Sequence, residues 1–237
     1  MLKLCEKYEE LKGLPANPFC AAITALAKTH GFDREYFRVY ISDNACLSVL
    51  DGNITLHAQS DADYDELKSF LGFLGYRSVL SDEETIKALG LKAIESSFIV
   101  KYAGTQREKP AGFTGSFDAR EAYRLLTECG FDTGDFESFC LDIVKRLNKG
   151  TARFAGIDDG GRLASCAFAL FDGEKSSLLG AVATDEAKRG RGYAGSLVSY
   201  LAGNNKESFL YCRNDSLLEF YKKYGFEYWG RWAKASR

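Results

Sequence analysis

The stretch Leu178–Leu201 constrains this chain most. An apolar run ends in Val182-Ala183-Thr184, then Asp185-Glu186-Ala187-Lys188 follows, then Arg189-Gly190-Arg191-Gly192-Tyr193-Ala194. Beyond Tyr193 the apolar spacing turns helical, with Ala194, Leu197, Val198 and Leu201 at i, i+3, i+4 and i+7. The pattern reads as a strand, a glycine-rich loop and a helix. Glycine lets the backbone approach a ligand closely. The free N–H groups and the dipole at a helix start then make an anion site suited to a phosphate or pyrophosphate.

The loop lacks the G-x-x-x-x-G-K-[ST] spacing of a P-loop. It also lacks G-x-G-x-x-G with an acidic residue about 20 positions on, the dinucleotide fingerprint. What stands here is Arg-x-x-Gly-x-Ala (Arg189, Gly192, Ala194), directly after a strand reading Val-Ala-Thr. Further on, Asn214 is followed by Tyr221 and the ending Tyr221-x-x-x-Gly225-Phe226. Together these resemble the acetyl-CoA-binding elements of the GNAT acyltransferase superfamily. Without the resemblance, the stretch is a basic, glycine-rich turn between a core strand and a helix.

At 237 residues the chain holds one large domain or two small ones, and 46% hydrophobic content supports a real core. The net charge of −2, with no long basic run, gives no reason to expect nucleic acid or an anionic membrane as partner. The seven cysteines are scattered without a C-x-x-C pair, which reads as reduced thiols in a cytoplasmic protein. The two histidines, His30 and His57, stand apart from any cysteine cluster, so no metal site is expected. Residues 1–14 are charged and no apolar run approaches 18 residues, so neither a leader nor a membrane span is expected.

Along the chain, Asn17, Pro18 and Gly31 bound a helix over 17–30. Three strand-like runs follow (37–42, 46–50 and 54–58), the last two joined across an Asp51-Gly52 turn. A helix over 62–74, a strand over 76–80, a helix over 83–89 and a strand over 96–102 complete this half. The polar segment Gly104–Ser116, with Pro110, is the expected linker, dividing residues 1–106 from 113–237. Beyond it, Asp118 and Glu121 form a capping pair for a helix to Cys129. A second helix spans 135–148, and strands over 152–157, 162–171 and 177–184 lead into the glycine-rich loop. A strand over 208–212, a helix over 216–224 and a strand over 226–232 close the chain.

This order of elements over residues 113–237 matches the GNAT resemblance, which implies an α/β fold. Its mixed, mostly antiparallel sheet is flanked by helices, with a second, smaller α/β domain before it. The resemblance sets the strand ending in Val182-Ala183-Thr184 beside the strand 208–212 and splays the two around a thioester arm. Main-chain groups of Val182 and Thr184 then pair with the pantetheine amides. The N–H groups of Gly190, Arg191, Gly192, Tyr193, Ala194 and Gly195 hold the pyrophosphate, aided by Arg189 and Arg191. By the same resemblance Asn214 is expected to hydrogen-bond the cofactor arm and Tyr221 to protonate the departing thiolate. A phenol of pKa about 10 is matched to an alkyl thiol for that transfer. As core, Tyr221 would simply pack with Leu217, Leu218 and Tyr224, and Tyr224 is the rival acid.

The general base is open. Some family members carry a glutamate where this chain has Phe209. Asp185, Glu186, a water-mediated base and Glu35 of the first half remain candidates. Cys212 abuts the site but is poorly activated as a nucleophile, with no histidine near. The expected function is an acetyl-CoA-dependent N-acetyltransferase acting by direct amine attack in a ternary complex. Its acceptor is a small-molecule or protein amine. The alternative is a non-catalytic acyl-CoA-binding or regulatory module.

The first half repeats three strands, helix, strand, helix, strand, but lacks the Arg-x-x-Gly-x-Ala loop. Asp61, Asp63, Asp65 and Glu66 near its helix start would repel a pyrophosphate. It reads either as a degenerate second copy, forming a pseudo-dimer within a monomer, or as an unrelated small α+β domain.

Overall fold

The computed structural model describes residues 1–105, 107–203 and 206–237. The first half runs β1 (Lys3–Leu4), α1 (Pro18–His30), β2 (Phe37–Ile41), β3 (Ala45–Leu50), β4 (Asn53–Ala58), α2 (Tyr64–Leu74), β5 (Ser78–Asp82), α3 (Glu83–Ala88) and β6 (Ala93–Tyr102). The second runs β7 (Phe113–Thr114), α4 (Ala119–Glu128), α5 (Phe136–Asn148), β8 (Arg153–Asp158), β9 (Leu163–Asp172), β10 (Ser176–Thr184), α6 (Tyr193–Ala202), β11 (Glu207–Cys212), α7 (Asp215–Lys222) and β12 (Phe226–Ser236).

Helix starts follow local chemistry. Asn17, Asp63, Asp118, Asp135 and Asn214 each accept a backbone N–H two or three residues on and so satisfy an orphan donor of their helix. The expected reciprocal bond from Glu121 to residue 118 is replaced. Glu121 bonds the Arg124 guanidinium at 3.0 Å, because a charge-assisted bond outcompetes one to a neutral N–H.

The strands of the described residues form one 12-stranded sheet in the order β1-β2-β3-β4-β5-β12-β6-β11-β10-β9-β8-β7. β6, from the first half, lies between β12 and β11 of the second. β12, from the second half, lies between β5 and β6. Each half therefore gives its last strand to the other. The pairing pattern repeats on both sides of the central β6–β12 pair. β4 is parallel to β5, which is antiparallel to β12; β10 is parallel to β11, which is antiparallel to β6.

This exchange explains two boundaries that local pattern misses. β12 continues to Ser236 because Lys234, Ala235 and Ser236 pair with β5, and β6 begins at Ala93 because Lys234 and Ala235 pair with its start. The expected linker is also partly structured. Phe113 and Thr114 pair with Ile157 and Gly156 of β8, adding an edge strand, while Gln106 of that segment lies outside the described residues.

Side-chain alternation assigns the helices to faces. Leu178 and Phe209 pack with Phe19 and Ala21 of α1, while their neighbours Leu179 and Leu210 pack with Leu197, Val198 and Leu201 of α6. Helix α1 and helix α6 thus lie on opposite faces. Although α1 belongs to the first half, it also sets Ile23 and Leu26 against Phe37, Val39 and Cys46, so it bridges both. Leu125 and Leu126 of α4 and Ile143 of α5 cover Phe154, Cys166 and Phe168. Leu67 and Leu71 of α2 and Ile86 of α3 cover Leu47, Leu56 and Val79, together with Ala233 and Ala235 of the exchanged β12.

Candidate functional site

β10 and β11 pair only over Ser176–Leu179 and Glu207–Leu210. Beyond that they part. The cause sits in β10. Gly180 pairs with Phe168 and Ala183 with Cys166, so two residues of β10 oppose one of β9. Ala181, in this bulge, holds φ at 48°, a left-handed conformation that non-glycine residues rarely take. The bulge breaks the register of β10 there, and the edge facing β11 at Val182–Thr184 has no strand partner among the described residues. Such an edge can accept an extended ligand as an extra strand.

The loop after β10 begins with a 3-10 turn, Glu186–Lys188, whose start Asp185 caps by accepting from Ala187 N at 2.9 Å. Gly192, at φ 79°, is the N-cap of α6 and supplies no side-chain cap. The first N–H groups of α6 are therefore left to water or a ligand.

The end of β10, this loop, the turn after α4, and α7 with the residues that follow it enclose a cleft of about 420 Å³. Val182, Ala183, Thr184, Arg189, Gly190, Arg191, Gly192, Tyr193, Ala194 and Tyr221, all expected from the sequence, line it. Two expected residues do not. Gly195 is buried against Tyr224, and Asn214 uses its side-chain oxygen to accept from Leu217 N at 2.9 Å, capping α7. Sequence reasoning did not place Cys129 and Phe131 in the wall. They come from the turn after α4, which only the tertiary fold brings over β10, where the Cys129 thiol donates to the Thr184 carbonyl at 3.4 Å. Lys188, Leu217, Phe220 and Tyr224 complete the lining.

Among the described residues the charged side chains lining the cleft are Lys188, Arg189 and Arg191, with no carboxylate and no histidine. Asp185 and Glu186 stay outside the cleft, and Glu35 lies exposed in the loop after α1. Phe209, fully buried, packs on the α1 face. Tyr123 packs with Phe136 and Phe139 at ring distances of 5.3 and 5.5 Å, away from the cleft wall.

Tyr221 is 5% exposed, and its hydroxyl has no hydrogen-bond partner among the described residues. Burial, aided by the neighbouring Cys212 thiol, pushes its phenol well above the ordinary value. The phenol is thus fully protonated at neutral pH, the form a proton donor needs. Burial pushes Cys212 up to about 12, so this thiol is a poor nucleophile.

Among the described residues no group of three His, Cys, Asp or Glu side chains could hold a metal ion, and no helix is long and apolar enough to cross a membrane.

Residues 150–228 match the family model "Acetyltransferase (GNAT) domain". No curated protein matches the chain. Among solved structures it is similar to a GCN5-related N-acetyltransferase from Kribbella flavida, at 13% identity and TM-score 0.60, covering 94% of this chain and 96% of that one. It is also similar to a GNAT-family acetyltransferase from Colwellia psychrerythraea, at 14% identity and TM-score 0.59, covering 100% and 99%. A tandem GNAT protein from the clavulanic acid biosynthesis pathway matches at 13% identity and TM-score 0.56, covering 98% and 92%. At these identities the likeness is one of fold. The expected GNAT architecture of the second half is borne out, and the likeness extends over the whole chain.

Proposed function

From the premise that residues 150–228 carry an acetyltransferase (GNAT) domain, we propose that the protein is an acetyl-CoA-dependent N-acetyltransferase. The observation that carries this is the cleft's composition. An unpartnered strand edge runs into an uncapped helix start beside three cations, with no anion in the lining. That arrangement suits a ligand with an extended amide-bearing arm and a phosphate end.

In this reading the N–H groups from Gly190 onward and Arg189 hold the donor's pyrophosphate. Val182 and Thr184 align the pantetheine arm so that its thioester lies near Tyr221. The acceptor amine attacks the thioester carbonyl, the C–S bond breaks, and the thiolate takes the proton of the Tyr221 hydroxyl. The proton lost by the amine passes to water, since no lining side chain among the described residues is a carboxylate or imidazole, and water returns a proton to the Tyr221 phenolate to close the cycle. Asn214 contributes by fixing the start of α7, which sets the position of Tyr221.

That same lack of a lining carboxylate or imidazole to act as general base favours a second reading, a non-catalytic acyl-CoA-binding module. Tyr221→Phe separates the two, because only an enzyme has turnover to lose.

We further propose that the halves are tandem copies that exchanged their last strands. Two parallels support this: the matching strand relations, and Asp82 capping α3 through Thr85 N at 2.8 Å just as Asn214 caps α7. Seven residues after Asp82 stands buried Leu89, where the second half has Tyr221. In the first copy Glu66, in the first turn of α2, accepts from Leu2 N at 2.7 Å and pairs with the Met1 ammonium. That end therefore favours cations over phosphate.

The decisive experiment is calorimetric titration with acetyl-CoA of the wild type and of Gly192→Glu. This change sets a carboxylate at the proposed phosphate position. Binding that the folded variant loses supports the donor site and justifies a screen of amine acceptors. A folded wild type that binds no acetyl-CoA sinks the proposal.

A further inference from the structure

Asp159, in the turn between β8 and β9, lines no part of the cleft, yet its carboxylate reaches three residues that do. Oδ2 accepts from Lys188 Nζ at 2.9 Å, from Arg191 Nη1 at 2.8 Å and from the Tyr193 hydroxyl at 3.2 Å. The turn is itself tied down. Asp159 N donates to the Arg162 carbonyl at 3.1 Å, and Asp158 N to the Gly112 carbonyl at 2.9 Å. Arg189 differs from its neighbours. It donates to the Thr184 carbonyl at 3.3 Å and meets no carboxylate among the described residues. Of the three cations at the loop, two are thus already matched to one internal anion.

We propose that Asp159 is a built-in counter-anion of the glycine-rich loop. It holds Lys188 and Arg191 in the ligand-free protein, and a phosphate arriving at those cations exchanges with it. This inference rests on reading the cleft as an acyl-CoA site and says how that site's affinity is set. It makes Arg189 and the α6 N–H groups the primary phosphate anchors. Lys188 and Arg191 become groups that trade one anion for another. The Tyr193 hydroxyl, at the start of α6, keeps a partner on the carboxylate when the cations turn away.

The balance of effects favours competition over support. Part-exposed ion pairs add little order to a loop; the side chains of Arg191, Lys188 and Asp159 are 51%, 28% and 25% exposed. A phosphate on Lys188 or Arg191, by contrast, lies well within the Debye length of about 8–10 Å from the carboxylate, so their repulsion is only partly screened. Removing the negative charge therefore strengthens phosphate binding. Donor and product carry the same phosphates, so Asp159 loosens both and keeps the spent carrier from lingering.

The test is calorimetry with coenzyme A and with pantetheine, which has no phosphate, on the wild type and Asp159→Asn at low and moderate salt. Melting curves confirm that each protein is folded. The expected result is coenzyme A binding tighter by about three- to tenfold in Asp159→Asn, with a steeper loss on adding salt and no change for pantetheine. Unchanged or weaker coenzyme A binding by the folded variant overturns the inference. Arg189→Gln and Arg191→Gln test it without touching the turn. Arg189→Gln should lose more affinity, and an equal or greater loss in Arg191→Gln overturns it. A wild type that binds no coenzyme A overturns the donor reading itself, an outcome distinct from either.

Discussion

The ring of Tyr224 lies against the Cα of Gly195, in the volume that a β-carbon on residue 195 would fill. Gly195 belongs to the first turn of α6, and Tyr224 follows α7 and is anchored through its carbonyl to Ser199 Oγ at 3.0 Å. The absence of one side chain therefore sets how closely the glycine-rich loop approaches the helix carrying Tyr221.

Gly195→Ala should lower the melting temperature and weaken acetyl-CoA binding. Overpacking of this kind costs about 1–3 kcal/mol, more than the roughly 1 kcal/mol gained by replacing a helical glycine. Adding Tyr224→Ala should recover part of the loss, because it empties the contested volume. Thermal melts of the two variants check this, and an unchanged melting temperature in Gly195→Ala would refute it.

Tyr221→Phe should cut turnover by about 10²- to 10⁴-fold while leaving acetyl-CoA affinity within about twofold. Because burial raises the phenol's pKa, the wild-type rate should show no fall from loss of this proton below pH about 10. Steady-state rates from pH 6 to 10, beside calorimetric affinities, test both statements. Equal loss of rate and affinity would point to packing instead.

Stability should fall as pH rises above about 9. Burial pushes the Cys20, Cys166 and Cys212 thiols from 9.0 up to about 12, and Cys5 to about 11. The unfolded chain releases these protons above its own thiol pKa while the folded chain keeps them. Their stabilisation is therefore complete below pH about 9 and is lost between there and about 12. Each thiol contributes a slope of about 1.4 kcal/mol per pH unit in that window. Urea midpoints under reducing conditions should be insensitive to these groups at pH 7–8 and fall steeply by pH 10. A flat profile to pH 10 would contradict the burial of these thiols.

Neither half should fold alone. Residues 107–237 without β6 leave β11 and β12 unpaired to each other, and without α1 leave Leu178 and Phe209 uncovered. Expressed separately, each half should lack a cooperative melt. Mixed during refolding, residues 1–105 and 107–237 should restore one transition. A cooperative melt from residues 107–237 alone would show that the exchange is dispensable.

Much of this protein was legible in local sequence. Caps at Asn17, Asp63, Asp118, Asp135 and Asn214 mark helix starts because the bond that satisfies the first turn reaches only two or three residues. The loop from Arg189 to Ala194 was legible for the same reason. Glycines and a helix start adjacent in the chain remain adjacent in space, and Val182–Thr184 precede them directly on β10. The sequence by itself thus determined most of the elements, the glycine-rich loop and the chemistry of its neighbours.

The tertiary structure decided what joins elements far apart in the chain. No local pattern says that β12 pairs with β5 and β6 with β11, because an edge strand's hydrogen bonds are satisfied equally by any partner in register. Phe131 and Cys129 enter the cleft wall only through the packing of α4 on β10, and Asp159 reaches Lys188 and Arg191 only because the β8–β9 turn lies over the loop. Asn214 shows the boundary within one residue. Its type and spacing were visible in the sequence, but that its oxygen caps α7 was decided by where Leu217 N lies, 2.9 Å away.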